Sequence, residues 1–130
     1  MRLIVIILFL LGGCAAPLGG RQISGRDWRA ANLNGVPVLP GSSVTLRLEG
    51  GDRVSGSAGC NLYSGTYRLM SKEGIDFTTL TTTRKACAPD LMDQERRFLS
   101  ILEAVEGHSF YSDGSFSLVS PDGRAIRFRY

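Results

Sequence analysis

Histidine and tryptophan occur once each in this chain and cysteine only three times, and after residue 11 no long apolar run remains. Each shortage excludes a class of function. One histidine plus two cysteines expected to be bridged to each other cannot supply the tetrahedral ligand set of a transition-metal site. No C-x-x-C motif is present, which excludes a thioredoxin-type redox centre. The glycines at 56 and 59 are not followed by Lys-Ser/Thr and a helix, so they do not form a phosphate loop. Gly56-Ser57-Ala58-Gly59 also has the wrong spacing for the strained serine elbow of hydrolases. Asp113 and Asp122 belong to separate turns rather than to a calcium loop. The basic residues are nearly all arginine and alternate with acids, as at Glu49, Asp52 and Arg53, so no basic stripe points to nucleic acid. Nothing in the sequence calls for a cofactor.

What is present describes one folded domain. A length of 130 residues is enough for a single core, and 43% hydrophobic with 21% charged residues excludes a disordered chain. The formal charge of +3 includes Arg2, which lies in a segment expected to be removed.

That segment is residues 1–13. Arg2 precedes an unbroken apolar run from Leu3 to Leu11, which suits a secretory signal and is far short of the roughly 20 residues of a membrane-spanning helix. Leu11-Gly12-Gly13-Cys14 resembles the lipobox of bacterial lipoproteins. The resemblance implies lipidation of Cys14, cleavage before it, and acylation of the new amine by a chain such as palmitate. The competing reading is ordinary cleavage after Ala16. Several acyl chains anchor stably where one is marginal. Ala15, where an inner-membrane retention signal would carry aspartate, implies the outer membrane, with the protein facing the periplasm. Residues 14–26 then read as a lipid-anchored tether, and residues 27–130 as the domain.

Within the domain the hydrophobic period is mostly two. Leu46 and Leu48 alternate with Thr45, Arg47 and Glu49; Ile126 and Phe128 alternate with Arg127 and Arg129. Gly-containing turns at 50–52, 72–74, 112–114 and 121–123 separate the strands. One stretch has helical spacing, with Leu91, Phe98, Leu102 and Val105 on one face, Pro89 at the start and Gly107 as a stop. The expected fold is therefore α+β: a curled antiparallel sheet of about eight strands with one amphipathic helix at about residues 89–106.

The order of a Trp near the domain start, RVSGSAGCNLYSGTY, LTTTRKAC, DQERRFLSIL and a glycine-turned C-terminal pair of strands resembles the META domain, or HslJ-like, family. The resemblance spans nearly all of residues 27–130. It implies a partly open β-barrel-like sheet with a helix, in a small envelope protein or lipoprotein linked to stress tolerance and without a defined activity.

Once Cys14 is lipidated, Cys60 and Cys87 are an even pair in an oxidising compartment, which points to a disulfide. The loop of about 27 residues is worth roughly 3.6 kcal/mol in the chain-entropy model. The alternative is two reduced cysteines packed as small hydrophobes. A Cys60 nucleophile served by His108 is the sharper and less expected reading, because an isolated histidine beginning a strand is commonplace. The glycines of the motif read as a bend or a close approach of another element, with Asn61 bonded to local backbone. The family pattern brings Asn61, Tyr63, Ser64, Thr83, Arg84 and Glu95 into one polar cluster, as ligand contacts or as framework. Arg84 would pair with Glu95, stand in solvent, or bind an anion. The expectation is a non-enzymatic protein, bound to the membrane through its lipid, with an envelope protein or a small ligand as partner. A small-molecule or lipid-binding module with an apolar cavity inside the sheet is the alternative.

Overall fold

The computed structural model describes residues 23–70 and 72–130. The signal segment, Cys14 and most of the tether lie outside the described residues.

The chain forms β1 (Trp28–Leu33), β2 (Val36–Pro37), β3 (Thr45–Glu49), β4 (Arg53–Ser57), β5 (Leu62–Leu69), β6 (Ile75–Thr82), α1 (Pro89–Ala104), β7 (Gly107–Phe110), β8 (Phe116–Val119) and β9 (Ala125–Arg129). Eight strands pair antiparallel in the order β6-β5-β4-β3-β1-β9-β8-β7, and the two-residue β2 flanks β1. The hairpin between β1 and β2 is a turn through Asn34 (φ 48°) and Gly35 (φ 81°). Two left-handed residues suit the right-handed twist of the strands they join.

The sheet curls until its two edge strands meet at one end only. Ile75 N–H donates to Glu106 O at 3.2 Å, and His108 N–H donates to Glu73 O at 2.9 Å. Beyond that point β6 and β7 separate, and α1 packs over the opening against β6, β8 and β9. The result is a half-barrel with a helical plug, as the alternation and the single amphipathic segment predict. An open sheet with one apolar face must cover that face, and one helix is available to do it.

The helix ends at Ala104 rather than near residue 106, because Val105 adopts an extended conformation. Val105 nevertheless remains buried, and Glu106 N–H bonds to Val119 O at 3.0 Å. Gly107, expected as a helix stop, is the first residue of β7. The buried stripe of α1 contains Phe98, Ile101 and Leu102, but also Gln94 and Glu95.

The inside of the curl is filled by side chains. Trp28, Phe98, Phe116, Phe128, Leu46 and Ile126 are essentially inaccessible. Phe116 meets the edge of Trp28 at 4.5 Å and stacks on Phe128 at 5.3 Å. This filling counts against a ligand cavity inside the sheet. Among the described residues, the packed part already includes Ile23, ahead of Trp28: its carbonyl accepts the Trp28 indole N–H at 2.8 Å, and Gly25 N–H donates to Leu48 O at 2.9 Å.

Candidate functional site

The polar motif residues assemble where the chain leaves β4, turns, and enters β5 below the start of α1. Gly59 takes φ 115° in this turn, and a side chain there would press on Leu91 of the helix. The turn brings Cys60 to Cys87, and the two are joined in a disulfide. The bridge ties the β4–β5 turn to the segment that leads into α1.

Asn61 is the centre of the cluster, and all its donors and acceptors are engaged. Its main-chain N–H donates to Glu95 Oε1 at 2.6 Å, and its Nδ2 donates to Glu95 Oε2 at 2.8 Å and to Lys85 O at 3.1 Å. Its Oδ1 accepts from Lys85 N–H at 2.6 Å and from Thr83 Oγ1 at 3.0 Å. Its carbonyl accepts from Ala58 N–H at 2.8 Å. An amide has two donors and two acceptor positions, and none is left for a ligand. The expected local backbone bond of Asn61 is the one from Ala58 N–H to its carbonyl, whereas its side chain reaches the far segment at Thr83 and Lys85 and the helix at Glu95. Thr83 is the second link, accepting Leu62 N–H at 3.1 Å while it donates to Asn61.

Glu95 is buried, at 5% exposure, and its two oxygens are taken up by Asn61. Arg84 is exposed and forms no ion pair among the described residues. The expected pairing with Glu95 is therefore not formed, and the guanidinium stands at the surface. The cause is geometric: Glu95 points into the core side of the helix, whereas Arg84 lies on the exposed run after β6.

Tyr63 and Ser64 are neighbours on β5 and fall on opposite faces. Tyr63 is buried, meets Phe98 edge-on at 5.5 Å, and donates its hydroxyl to Thr45 O at 2.6 Å. Burial raises the pKa of this phenol far above its ordinary value, so it acts as a fixed donor. Gly56 makes the contact possible, because a Cβ there would lie 2.3 Å from Thr45 O and 2.9 Å from the Tyr63 hydroxyl. The expected close approach at a strand glycine is thus found, and its partner is β3. Ser64 faces outward, with its Oγ 3.4 Å from Thr81 Oγ1, in a groove of about 640 Å³ that Thr45, Ser55, Ser57 and Thr83 also line.

His108 lies in a different place. It meets Phe110 edge-on at 5.6 Å and lines a cleft with Ile23, Leu48, Leu69 and Met70. Its Nδ1 is buried with no hydrogen-bond partner among the described residues. Cys60 is bonded to Cys87, so the thiol–imidazole pair considered from the sequence is not formed.

Two features escaped the sequence reading. Gln94, beside Glu95 on the buried face of α1, accepts Leu39 N–H at 2.7 Å and donates to Ser42 Oγ at 3.0 Å. Polar residues between Leu91 and Phe98 on an apolar stripe were the available signal. The second is a cleft rimmed by Arg96, Arg97 and Arg124. No sequence signal marks it, since Arg124 comes from the turn before β9.

No functionally curated protein matches the chain significantly. Two structures solved by NMR do resemble it. A protein from Burkholderia xenovorans superposes with a TM-score of 0.66 at 25% identity, covering 82% of this chain and 81% of its own. A second has a TM-score of 0.66 at 21% identity, covering 84% and 92%. The META domain model matches residues 21–129, which include the Asn61 cluster, the disulfide, the half-barrel and its helical plug. With that match over nearly the whole folded chain, this protein belongs to the META domain family.

Proposed function

We propose that this META-domain protein is a lipid-anchored component of the bacterial envelope that works by binding or scaffolding rather than by catalysis, with a role in stress tolerance. Cys14 carries the lipid and places the domain on the periplasmic side of the outer membrane. The observation that carries the binding reading is the engagement of the motif residues with one another. Asn61, Thr83 and Glu95 are consumed in a framework, Tyr63 supports β3, and Cys60 and Cys87 are bonded together. The residues that identify the domain therefore hold it in shape, and partners have its surface to meet. The disulfide also fits an oxidising compartment.

Intact-mass measurement on protein extracted from membranes tests the anchoring, with a diacylglyceryl-modified Cys14 as the expected N-terminus. An unmodified start at Pro17 would refute it. Cross-linking in the native envelope tests the binding role: a specific adduct formed by the wild type and lost in Cys14→Ser is expected. Ligand binding is the second reading, and the filled interior moves it from the inside of the sheet to the surface clefts.

A further inference from the structure

Between α1, the β1–β2 hairpin and the turn before β9 lies a cleft of about 380 Å³. That volume falls within the range of small-molecule sites, roughly 300–1,000 Å³. Leu33, Val36 and Ile101 make its apolar part, and Val36 is 49% exposed although it has no polar atom to offer solvent. Arg96, Arg97 and Arg124 form the rim, and their aliphatic stems extend the apolar wall. Ser100 adds a hydroxyl between them, already receiving Arg124 Nη1 at 3.2 Å.

The charges around the cleft are unbalanced. Asp93 pairs with Arg96 at 3.2 Å and only loosely with Arg97 at 3.9 Å, while Asp122 holds Arg124 through Nε at 2.8 Å. Neither carboxylate lines the cleft, so three guanidinium groups border a space into which no acid projects. Cations gathered at the mouth of an apolar cleft repel one another, and an anion seated among them relieves that repulsion. Guanidinium forks match the oxygens of phosphate and carboxylate in pairs.

We infer that this cleft binds a small amphipathic anion, with an alkyl body over Leu33, Val36 and Ile101 and a phosphate or carboxylate head against Arg97 and Arg124. The inference rests on the binding reading above and names its ligand class. The ligand enters the cleft as a single free molecule.

Methyl NMR of the mature protein in zwitterionic nanodiscs, titrated with hexyl phosphate below micelle formation, tests this. Saturable shifts confined to the methyls of Leu33, Val36 and Ile101 are expected. Arg97→Gln/Arg124→Gln should weaken binding about tenfold or more, as the loss of charge-assisted hydrogen bonds implies. Val36→Asp, which sets an acid on the apolar floor, should weaken it independently with the spectrum of the fold unchanged. Hexanol and inorganic phosphate, each carrying half of the chemistry, should both bind more weakly. Equal affinity for hexanol or for inorganic phosphate would overturn the inference, as would shifts centred elsewhere. So would binding of anionic vesicles without binding of hexyl phosphate. A specific envelope cross-link together with no hexyl phosphate binding removes this inference and leaves the binding role standing.

Discussion

Glu95 on the helix closes both carboxylate oxygens on Asn61, the residue beside Cys60, at 2.6 and 2.8 Å. The contact spans 34 residues of sequence and fixes the helical plug to the β4–β5 turn. Removing the carboxylate leaves the Asn61 main-chain N–H and one amide donor buried without acceptors. Glu95→Ala should therefore cost about 3 kcal/mol, from the loss of charge-assisted bonds and the desolvated donors left behind. Glu95→Gln should cost less but still more than 1 kcal/mol, because its NH₂ meets a donor. A lowered urea midpoint at unchanged slope is the expected record.

The disulfide and the Asn61 network hold the same two segments together. Cys60→Ser/Cys87→Ser should cost up to about 3.6 kcal/mol by chain entropy. Combined with Asn61→Ala, the two losses should not add, since each leaves the other to retain residues 60–61 near residues 85–87. A double-mutant cycle by urea unfolding measures the coupling. Strict additivity would show that the two ties act on separate parts of the fold.

Gly56 and Tyr63 make a pair with unequal tolerance. Tyr63→Phe removes one hydrogen bond and leaves Thr45 O short of a partner, at roughly 1–2 kcal/mol. Gly56→Ala should cost about 3 kcal/mol, since its Cβ meets the Thr45 carbonyl at 2.3 Å and the backbone must shift. Tyr63→Phe should not rescue Gly56→Ala, because the nearer obstacle is main chain. Thermal melts of the three variants decide the point.

Thr79 lies in the left-handed region at φ 55°, in the bulge of β6 opposite Gly65. A β-branched residue is strained there, by about 1–2 kcal/mol. Thr79→Asn should raise the melting temperature by a few degrees, since asparagine tolerates this conformation. A fall on melting would show that the bulge is held by the threonine side chain itself.

Two exposed carboxylates, Asp113 and Asp122, and the half-buried Asp76 give the fold an acid-side sensitivity. The Arg68 guanidinium bonded to Asp76 holds that carboxyl below its ordinary range. The Ser115 hydroxyl and N–H do so for Asp113, and the Ser120 hydroxyl leads the same effect at Asp122. A depressed folded-state pKa stabilises the native form above the unfolded value, about 3.9 for Asp, and the benefit is lost as pH falls through the lower folded value. Urea midpoints should therefore hold from pH 7 to about 5 and decline below about 4. Asp113→Asn/Asp122→Asn should flatten that decline; an unchanged acid limb would assign it to other groups.

Features that depend on near neighbours are legible in the order of the residues alone. Alternation marks each strand by its buried face, as Leu46 and Leu48 or Ile126 and Phe128 show, and turn glycines such as Gly114 and Gly123 occupy positive φ. Helical spacing locates α1 to within two residues of its end, and two cysteines left over after Cys14 foreshadow the bridge. Which distant polar groups meet is settled by the folding of the sheet and the docking of the helix. Closure of the half-barrel and the rotation of the plugging helix place Glu95 on Asn61 and leave Arg84 in solvent. They also set Arg124 beside Arg96 and Arg97, and fill the interior that an open sheet would have left for a ligand. Backbone periodicity is local and survives in one dimension. A contact across 34 residues depends on how every intervening element packs, and no spacing rule encodes that sum.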